Sequence, residues 1–347
     1  MNIAIIGSGF FGVSLSIILA KKHKIDLYEK ESDILQGASR VNQFRFHQGY
    51  HYPRSNKTIN EIKKYKNSFQ KFFGNNIFGK TENFYSISKY RSKTSFSNYL
   101  KFLKKNKLFF KVYKNKNFFS RNIEGTIIVN EKILNYFKIK KKLKKTLKKN
   151  SVHLNFKKEF KKENFSKYDK VIIATYQNNN YVLKKLGITV KNKFRYELVE
   201  KILLKLPKRF KNKSFVVLDG NFVCLDPYIG TNKHLLSDVK FSKIEIVKSI
   251  MPVFKHKNKK FLNKGLIVNK KISNFDNFVK HGSLFLPFLK KAKYAGSYFV
   301  VRTLKHNVEK TDERVSIVKK VNKKVIVILS GKWNTCIGIA KYIENNL

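Results

Sequence analysis

Gly7-Ser8-Gly9-Phe10-Phe11-Gly12 is a GxGxxG hexapeptide set directly after the apolar run Asn2 to Ile6 and before another from Val13, and it constrains this chain more than any other feature. That context calls for a strand, a glycine turn and a helix. A second strand, Lys24 to Tyr28, completes a βαβ opening and leads into Glu29, 20 residues after Gly9. The first glycine permits the tight turn, the second lets the backbone approach a diphosphate, and the third lets helix and strand pack closely, with the helix N-terminus facing the phosphate charge. Glu29 can accept hydrogen bonds from the ribose hydroxyls of an adenosine and would repel a 2'-phosphate, which disfavours NADP. NAD and FAD share this signature, so these residues leave the two open.

The rest of the chain arranges itself around that opening. Gln36 to Ser55 is rich in Gly, Asn, His, Tyr and Arg with weak periodicity, and reads as an ordered, site-forming loop. The patterns predict helices over Val13 to Lys22, Thr58 to Phe73, Ser95 to Asn106 and Lys132 to Asn150, and strands over Asn83 to Ser88, Gly125 to Val129 and Val152 to Phe156. Val171-Ile172-Ile173-Ala174 has the near-continuous hydrophobicity of a parallel strand buried on both faces. Between about Lys193 and Val301 the style changes to longer strands with Gly and Pro turns, including Glu197 to Leu206, Ser214 to Leu218 and Phe222 to Leu225, as in a mixed or antiparallel sheet. The end returns to the first style, with strand Lys324 to Leu329, turn Ser330-Gly331-Lys332 and helix Asn334 to Asn345. The expectation is an α/β chain with a discontinuous Rossmann-type domain from 1–60, 120–185 and 300–347. A second, α+β domain for the substrate, built on a mixed or antiparallel sheet, takes 61–119 and 186–299.

Composition enters where it excludes partners. A chain of 347 residues with 42% hydrophobic residues can bury a sizeable core and is not a disordered basic tail. No apolar stretch approaches the roughly 20 residues of a spanning helix, and the first residues carry no secretory pattern, so a cytoplasmic location is expected. Cys224 and Cys336 lie far from each other and from any zinc-like His spacing; they read as reduced thiols, and no metal is expected. The net charge of +53 has two readings. One is contact with nucleic acid or an anionic surface. The other, favoured here, is codon bias: 66 of the 75 basic residues are Lys, spread through every segment beside abundant Asn, Ile and Phe, all with AT-rich codons. Lys138 to Lys149 then reads as a solvated helix face with Ile139, Leu143 and Leu147 on the buried side.

Further segments carry a resemblance. Gly37-Ala38-Ser39-Arg40-Val41-Asn42 followed by Phe46-His47-Gln48-Gly49-Tyr50-His51-Tyr52-Pro53 resembles the second glycine-containing motif and flavin-facing loop of the D-amino-acid oxidase-like FAD oxidoreductases. Val171 to Thr175 is similar to that family's late ATG-type strand, and Leu329 to Lys332 to its C-terminal flavin-contacting turn. Departures are Tyr176 in place of the Gly of ATG, and a single Gly in the last turn. The resemblance implies FAD as cofactor. It implies contacts to it from Phe10, Phe11, Lys30, Ser39, Arg40, Asn42, His47, Ala174, Thr175, Gly331, Lys332 and Thr335, beside Gly7, Gly9, Gly12 and Glu29 of the fingerprint.

Reaction chemistry narrows the candidates for catalysis. Flavin reduction leaves negative charge that a cation or helix N-terminus can offset, so Gly331 and Lys332 suit that place, although in this Lys-rich chain Lys332 also reads as a plain surface residue. His47 and His51 suit proton transfer near neutral pH or, alternatively, loop hydrogen bonding. Arg40, Arg45 and Arg54 are three of only nine arginines, and a retained Arg hints at planar bidentate contact with carboxylate or phosphate, Arg54 serving the loop instead. By the resemblance Arg302 is the candidate for the substrate's anionic group, with Arg314 its competitor and a salt bridge the alternative for both. Tyr50, Tyr52, Asp226 and Tyr228 are pocket or packing residues. The expected activity is a dehydrogenase or oxidase removing hydride from a C–H that bears an alcohol or amine, on a hydroxy or amino acid or other small anionic or sugar-type substrate. The loop FHQGYHYPRS also resembles family members of bacterial surface-polysaccharide biosynthesis, which adds a sugar nucleotide to the substrate classes. The alternatives are a non-redox flavoenzyme resembling UDP-galactopyranose mutase, and an RNA-binding flavoprotein that modifies tRNA. Nucleic acid is not the expected partner, and the electron acceptor is unassigned.

Overall fold

The expected opening unit forms, with its helix starting inside the glycine motif. In the computed structural model, which describes residues 1–115, 117–262, 264–306 and 311–347, strand β1 (Asn2–Ile6) runs through Gly7 to Gly9 into helix α1 (Phe10–Leu19) and on to strand β2 (Lys24–Glu29). Helix α1 thus begins three residues before the expected Val13 and ends at Leu19, short of Lys22. Every residue of α1 is buried, so no polar face marks its ends in the sequence. The strands pair in parallel, Ile5 beside Leu27 and Ile172.

Those strands lie in a six-stranded sheet. Its order is Ile317–Lys320, Val325–Leu329, Lys170–Ile173, β1, β2, His153–Phe156, and all neighbours are parallel except the first pair. Parallel strands covered on both faces explain the unbroken apolar runs at β1, Lys170–Ile173 and Val325–Leu329. The C-terminal helix Cys336–Glu344 packs on α1, and its start is a tight turn of helix, Trp333–Thr335.

The second sheet has nine strands. From one edge they run Lys243–Ser249, Phe194–Lys205, His234–Asp238, Val223–Pro227, Lys213–Leu218, Glu82–Ser88, Ile123–Val129, Phe110–Val112, and Lys293–Lys305 pairs along Phe194–Lys205. Lys213–Leu218 and Glu82–Ser88 are parallel and the other pairs antiparallel, which is the mixed sheet expected. A three-stranded patch, Arg45–Phe46 and Phe78–Gly79 on either side of Lys132–Leu134, joins the loop at 36–55 to the rest.

Sheet membership divides the chain differently from the expected segments in three places. Ile123–Val129 belongs to the second sheet because it pairs with Glu82–Ser88, Asn83 opposite Val129. Lys293–Lys305 stays in that sheet past residue 300, Arg302 opposite Glu197. Helix Asn56–Phe73, conversely, packs on the C-terminal helix and buries Phe69 and Phe73 in the core of the first sheet. The helix expected over Lys132 to Asn150 starts only at Tyr136: Asn135 caps it, its side chain accepting from the Lys138 amide at 3.0 Å, and Lys132–Leu134 is strand. Ile139, Leu143 and Leu147 are fully buried, as their spacing predicts. One apolar core runs from Ile5, Leu27, Ile172 and Ile328 to Val199, Leu203, Tyr298 and Val300, so the two sheets share their packing.

Candidate active site

The carboxyl ends of the parallel strands floor a groove of about 740 Å³, within the range of small-molecule and cofactor sites. Gly7 takes a φ of +97° and donates its amide to the Tyr28 carbonyl at 2.8 Å. A Cβ on Gly12 would lie 1.8 Å from the Gly7 carbonyl oxygen, so only glycine lets the helix sit so close to its strand. Helix α1 has no side-chain cap hydrogen bond at Gly9 and no acidic residue in its first turn, which leaves the amides after Phe10 and the helix dipole for an anion. The Ser39 hydroxyl accepts from the Phe10 amide at 3.2 Å, bringing the 37–42 segment over this end. Glu29 closes the other side: its carboxylate accepts from the Ser8 amide and hydroxyl, each at 2.8 Å, and from the Glu31 amide at 3.0 Å.

Most of the expected cofactor residues meet here. Gly7, Gly9, Phe10, Phe11, Glu29, Lys30, Ser39, Asn42, Ala174, Thr175 and Gly331 all line the groove. Met251, Pro252 and Val253 face them from the second sheet's side, unmarked by any sequence motif. Tyr176, the departure from ATG, adopts a φ of +57°, the conformation for which a glycine would serve. Its hydroxyl accepts from the Thr303 amide at 3.0 Å and so ties the nucleotide sheet to the second sheet. Gly331 is required for close approach, since a Cβ there would lie 2.5 Å from the Ser316 amide nitrogen. Arg40 instead donates to Gln36 Oε1 at 3.3 Å and lies 5.8 Å over the Tyr298 ring. Thr335 is buried and donates to the Lys332 carbonyl at 2.8 Å, shaping the turn.

Lys332 stands between the groove residues Gly331 and Trp333, and it is not a plain surface lysine. Its Nζ lies 4.5 Å over the Tyr52 ring, and burial lowers its pKa to about 7. His47 and His51 approach each other to 6.0 Å between ring centroids, and burial, with Lys332 next, holds both imidazoles well below the usual histidine range. Both are therefore neutral at pH 7 and able to accept a proton. Their Nδ1 atoms, Trp333 Nε1 and Asn334 Oδ1 are buried without a hydrogen-bond partner among the described residues. Asn334 Nδ2 donates to the His47 carbonyl at 3.0 Å, so these orphans form one neighbourhood beside the groove. Buried polar atoms left unpaired at the end of a nucleotide groove fit a site built for a polar ring.

The arginines found carboxylates within the fold. Arg45 is fully buried: its Nε donates to Asp226 Oδ2 at 3.1 Å, its Nη2 to Asp226 Oδ1 and to Ser214 Oγ at 2.7 Å. Arg54 grips Asp219 through two bonds, 2.6 and 3.0 Å, as the loop-stabilising reading has it. Arg302 donates from Nε to Glu197 at 2.7 Å and from Nη2 to the same oxygen, because the two residues are direct cross-strand partners. Its assignment to a substrate anion must therefore share the guanidinium with Glu197. Arg195 also reaches Glu197, at 2.9 Å, so two cations share one carboxylate. Arg314 pairs with Asp312 and donates to the Glu313 carbonyl at 2.9 Å.

Sequence reasoning missed Lys201 and Glu131. The Lys201 ammonium reaches Ser237 Oγ, and burial, followed by the neighbouring Arg302 charge, lowers its pKa to about 8. Nothing distinguishes it in sequence among 66 lysines. Glu131 is buried beneath the His47 loop, and its only signal is being one of 22 acidic residues. Among the described residues no group of three or more His, Cys, Asp or Glu could hold a metal ion, and no helix is long and apolar enough to cross a membrane.

Comparison with known proteins gives the fold. No family model matches the chain. Solved structures match along nearly all of it. These include glycine oxidase from Geobacillus kaustophilus (TM-score 0.71, 11% identity, 99% of this chain and 93% of that one). L-proline dehydrogenase from P. horikoshii matches at TM-score 0.71 (13% identity, 99% and 93%). FAD-bound L-alpha-glycerophosphate oxidase from Mycoplasma pneumoniae matches at TM-score 0.73 (13% identity, 98% and 92%). The chain thus has the FAD-dependent oxidoreductase fold, a Rossmann-type sheet with a second sheet domain. In sequence it is 41% identical to the FAD-dependent monooxygenase kojA of Aspergillus flavus over 59 residues, 17% of this chain, and covers only 14% of that relative's length. A similar match, 38% over 58 residues, is to the FAD-dependent monooxygenase FPY4 of Fusarium mangiferae.

Proposed function

We propose that the chain is an FAD-dependent oxidoreductase acting on a small anionic substrate with a hydroxyl or amino group beside the C–H bond to be oxidised. The observation that carries this reading is the groove itself. Its glycine floor and the dipole of the α1 N-terminus suit a diphosphate, Glu29 suits a ribose, and beside its Gly331 and Trp333 end stand the half-buried Lys332 and two neutral histidines. Gly7, Gly9, Gly12 and Ser39 would hold the diphosphate side, and Ala174, Thr175, Gly331, Lys332 and Trp333 the flavin side. FAD would supply two-electron acceptor chemistry there.

The chain's own groups divide the remaining work. Lys332 offers the cation that offsets added negative charge. His47, neutral and buried, or the neutral, half-buried His51 takes the proton from the substrate hydroxyl or amine. Lys332 and Lys201 both act on His51 as positive charges, which suits a carboxylate or phosphate substrate. Two free, reduced thiols fit a cytoplasmic location.

The test is direct. Purified protein should be yellow or take up FAD. Among hydroxy acids, amino acids, glycerol phosphate and sugar nucleotides, one anionic class should bleach the flavin band without air. Lys332→Met should slow that bleaching or lower the flavin potential. A colourless protein that binds no FAD would defeat the reading, and turnover without bleaching would favour a mutase-like reaction.

A further inference from the structure

Beneath the loop that carries His47 lies a buried carboxylate to which no role has been given. Glu131 sits in the turn between Ile123–Val129 and Lys132–Leu134, with its side chain fully enclosed. Its Oε1 accepts from the Gln48 amide at 3.0 Å and lies 3.8 Å from His47 Nδ1. Its Oε2 accepts from the Tyr85 hydroxyl and lies 3.6 Å from Arg45 Nη1. The orphaned His47 nitrogen thus faces a carboxylate already held on its other side. Arg45 does not neutralise that anion by itself, since its Nε and Nη2 are engaged by Asp226.

We propose that Glu131 is the charge partner of His47: the imidazolium formed when His47 takes a proton from substrate is balanced by the Glu131 carboxylate that faces its Nδ1. This rests on the oxidoreductase reading above. In the step, the substrate O–H or N–H bond breaks, its electron pair stays on the heteroatom, and the proton joins the His47–Glu131 pair. FAD, held as proposed above, would be the two-electron oxidant that takes the hydride of the adjacent carbon. An isolated buried imidazolium would be costly, and a facing carboxylate removes the uncompensated charge. Glu131 is itself inclined to hold a proton, because burial raises its pKa against the pull of Arg45. The other groups that act on the pair are known. They are Arg45, Asp226 and Cys224 on one side, Tyr85 and Tyr99 from the second sheet's face, Tyr50 and His51 from the loop, and Lys332 from the C-terminal turn. Lys332 and Arg45 both lower His47, so a compensating anion is what the site needs.

FAD-loaded protein with ¹⁵N-labelled histidine provides the test, read by NMR across acid to neutral pH. In the parent, the His47 ring signals should titrate together with Glu131 as a coupled pair. In Glu131→Gln, which keeps an acceptor for the Gln48 amide, that titration should move down by on the order of one pH unit or more. Glu131→Asp, which keeps the charge, should restore the coupling. A His47 titration identical in parent and Glu131→Gln would overturn the proposal, because a purely structural Glu131 would leave it unmoved. If Glu131→Gln does not fold, the carboxylic-acid infrared band of Glu131 in His47→Gln serves instead: it should titrate at a different pH from the parent's, and an unmoved band overturns the pairing. The visible flavin spectrum of the same samples separates failures, since colourless protein defeats the oxidoreductase reading and yellow protein with uncoupled titration defeats only the role of Glu131.

Discussion

Nine arginines kept among 66 lysines are a residue-scale signal, and for three of them its meaning is internal. Arg45, Arg54 and Arg302 each grip a carboxylate with two donors, a geometry a lysine cannot supply. Arg45→Met would leave Asp226 buried without its partner, so it should cost about 3–5 kcal/mol in urea unfolding. Replacing Asp226 with Leu as well should recover most of that loss. His234 gives a pH prediction. It is buried, with Nε2 2.9 Å from the Phe210 carbonyl, and burial lowers its pKa from 6.5 to about 4. Between those values the unfolded chain binds a proton that the folded chain refuses, so this histidine contributes full stability above pH 6.5 and loses it as pH falls. Relative to His234→Gln, the parent should lose about 3 kcal/mol between pH 7 and pH 4, measured by urea melts at both pH values. Equal losses in the two proteins would reject the assignment. The histidines of the loop were legible as candidates, but their neutrality was not, because it comes from burial and from Lys332, 281 residues beyond His51.

Elements meet at glycines here, and Gly12 sets how closely β1 and α1 approach beneath the groove. Gly12→Ala puts a Cβ 1.8 Å from the Gly7 carbonyl oxygen, so β1 and α1 must separate. It should cost about 1–3 kcal/mol and weaken FAD binding about tenfold or more. Gly37→Ala, in the same groove but with nothing within 4 Å of its Cβ, should bind FAD as the parent does, which fluorescence titration of both variants can check. The βαβ opening was legible because its periodicity changes at glycines. The start of the helix at Tyr136 was not, because Lys132–Leu134 becomes strand only by pairing with Arg45–Phe46 and Phe78–Gly79, far away in sequence.

Across the whole molecule the net charge of +53 is the property most open to misreading. Helix Tyr136–Lys149 shows its origin in small: its lysines surround Ile139, Leu143 and Leu147, which are fully buried, and serve as its solvated face. If codon bias produced the lysines, tRNA and heparin should bind with affinities within about tenfold of each other, both falling steeply between about 50 and about 200 mM salt. A tRNA preference well beyond that in anisotropy titrations would restore the RNA reading. The sequence by itself determined the nucleotide fold and its diphosphate turn, because a GxGxxG between apolar strands, with Glu29 following, is a local pattern with one low-energy solution. Only the tertiary structure decided where the second sheet begins and ends, that Arg302 shares its charge with Glu197, that Glu131 faces His47 and that Lys201 reaches Ser237. Each of those depends on contacts between residues distant in the chain, and burial, which no local pattern encodes, sets their charge.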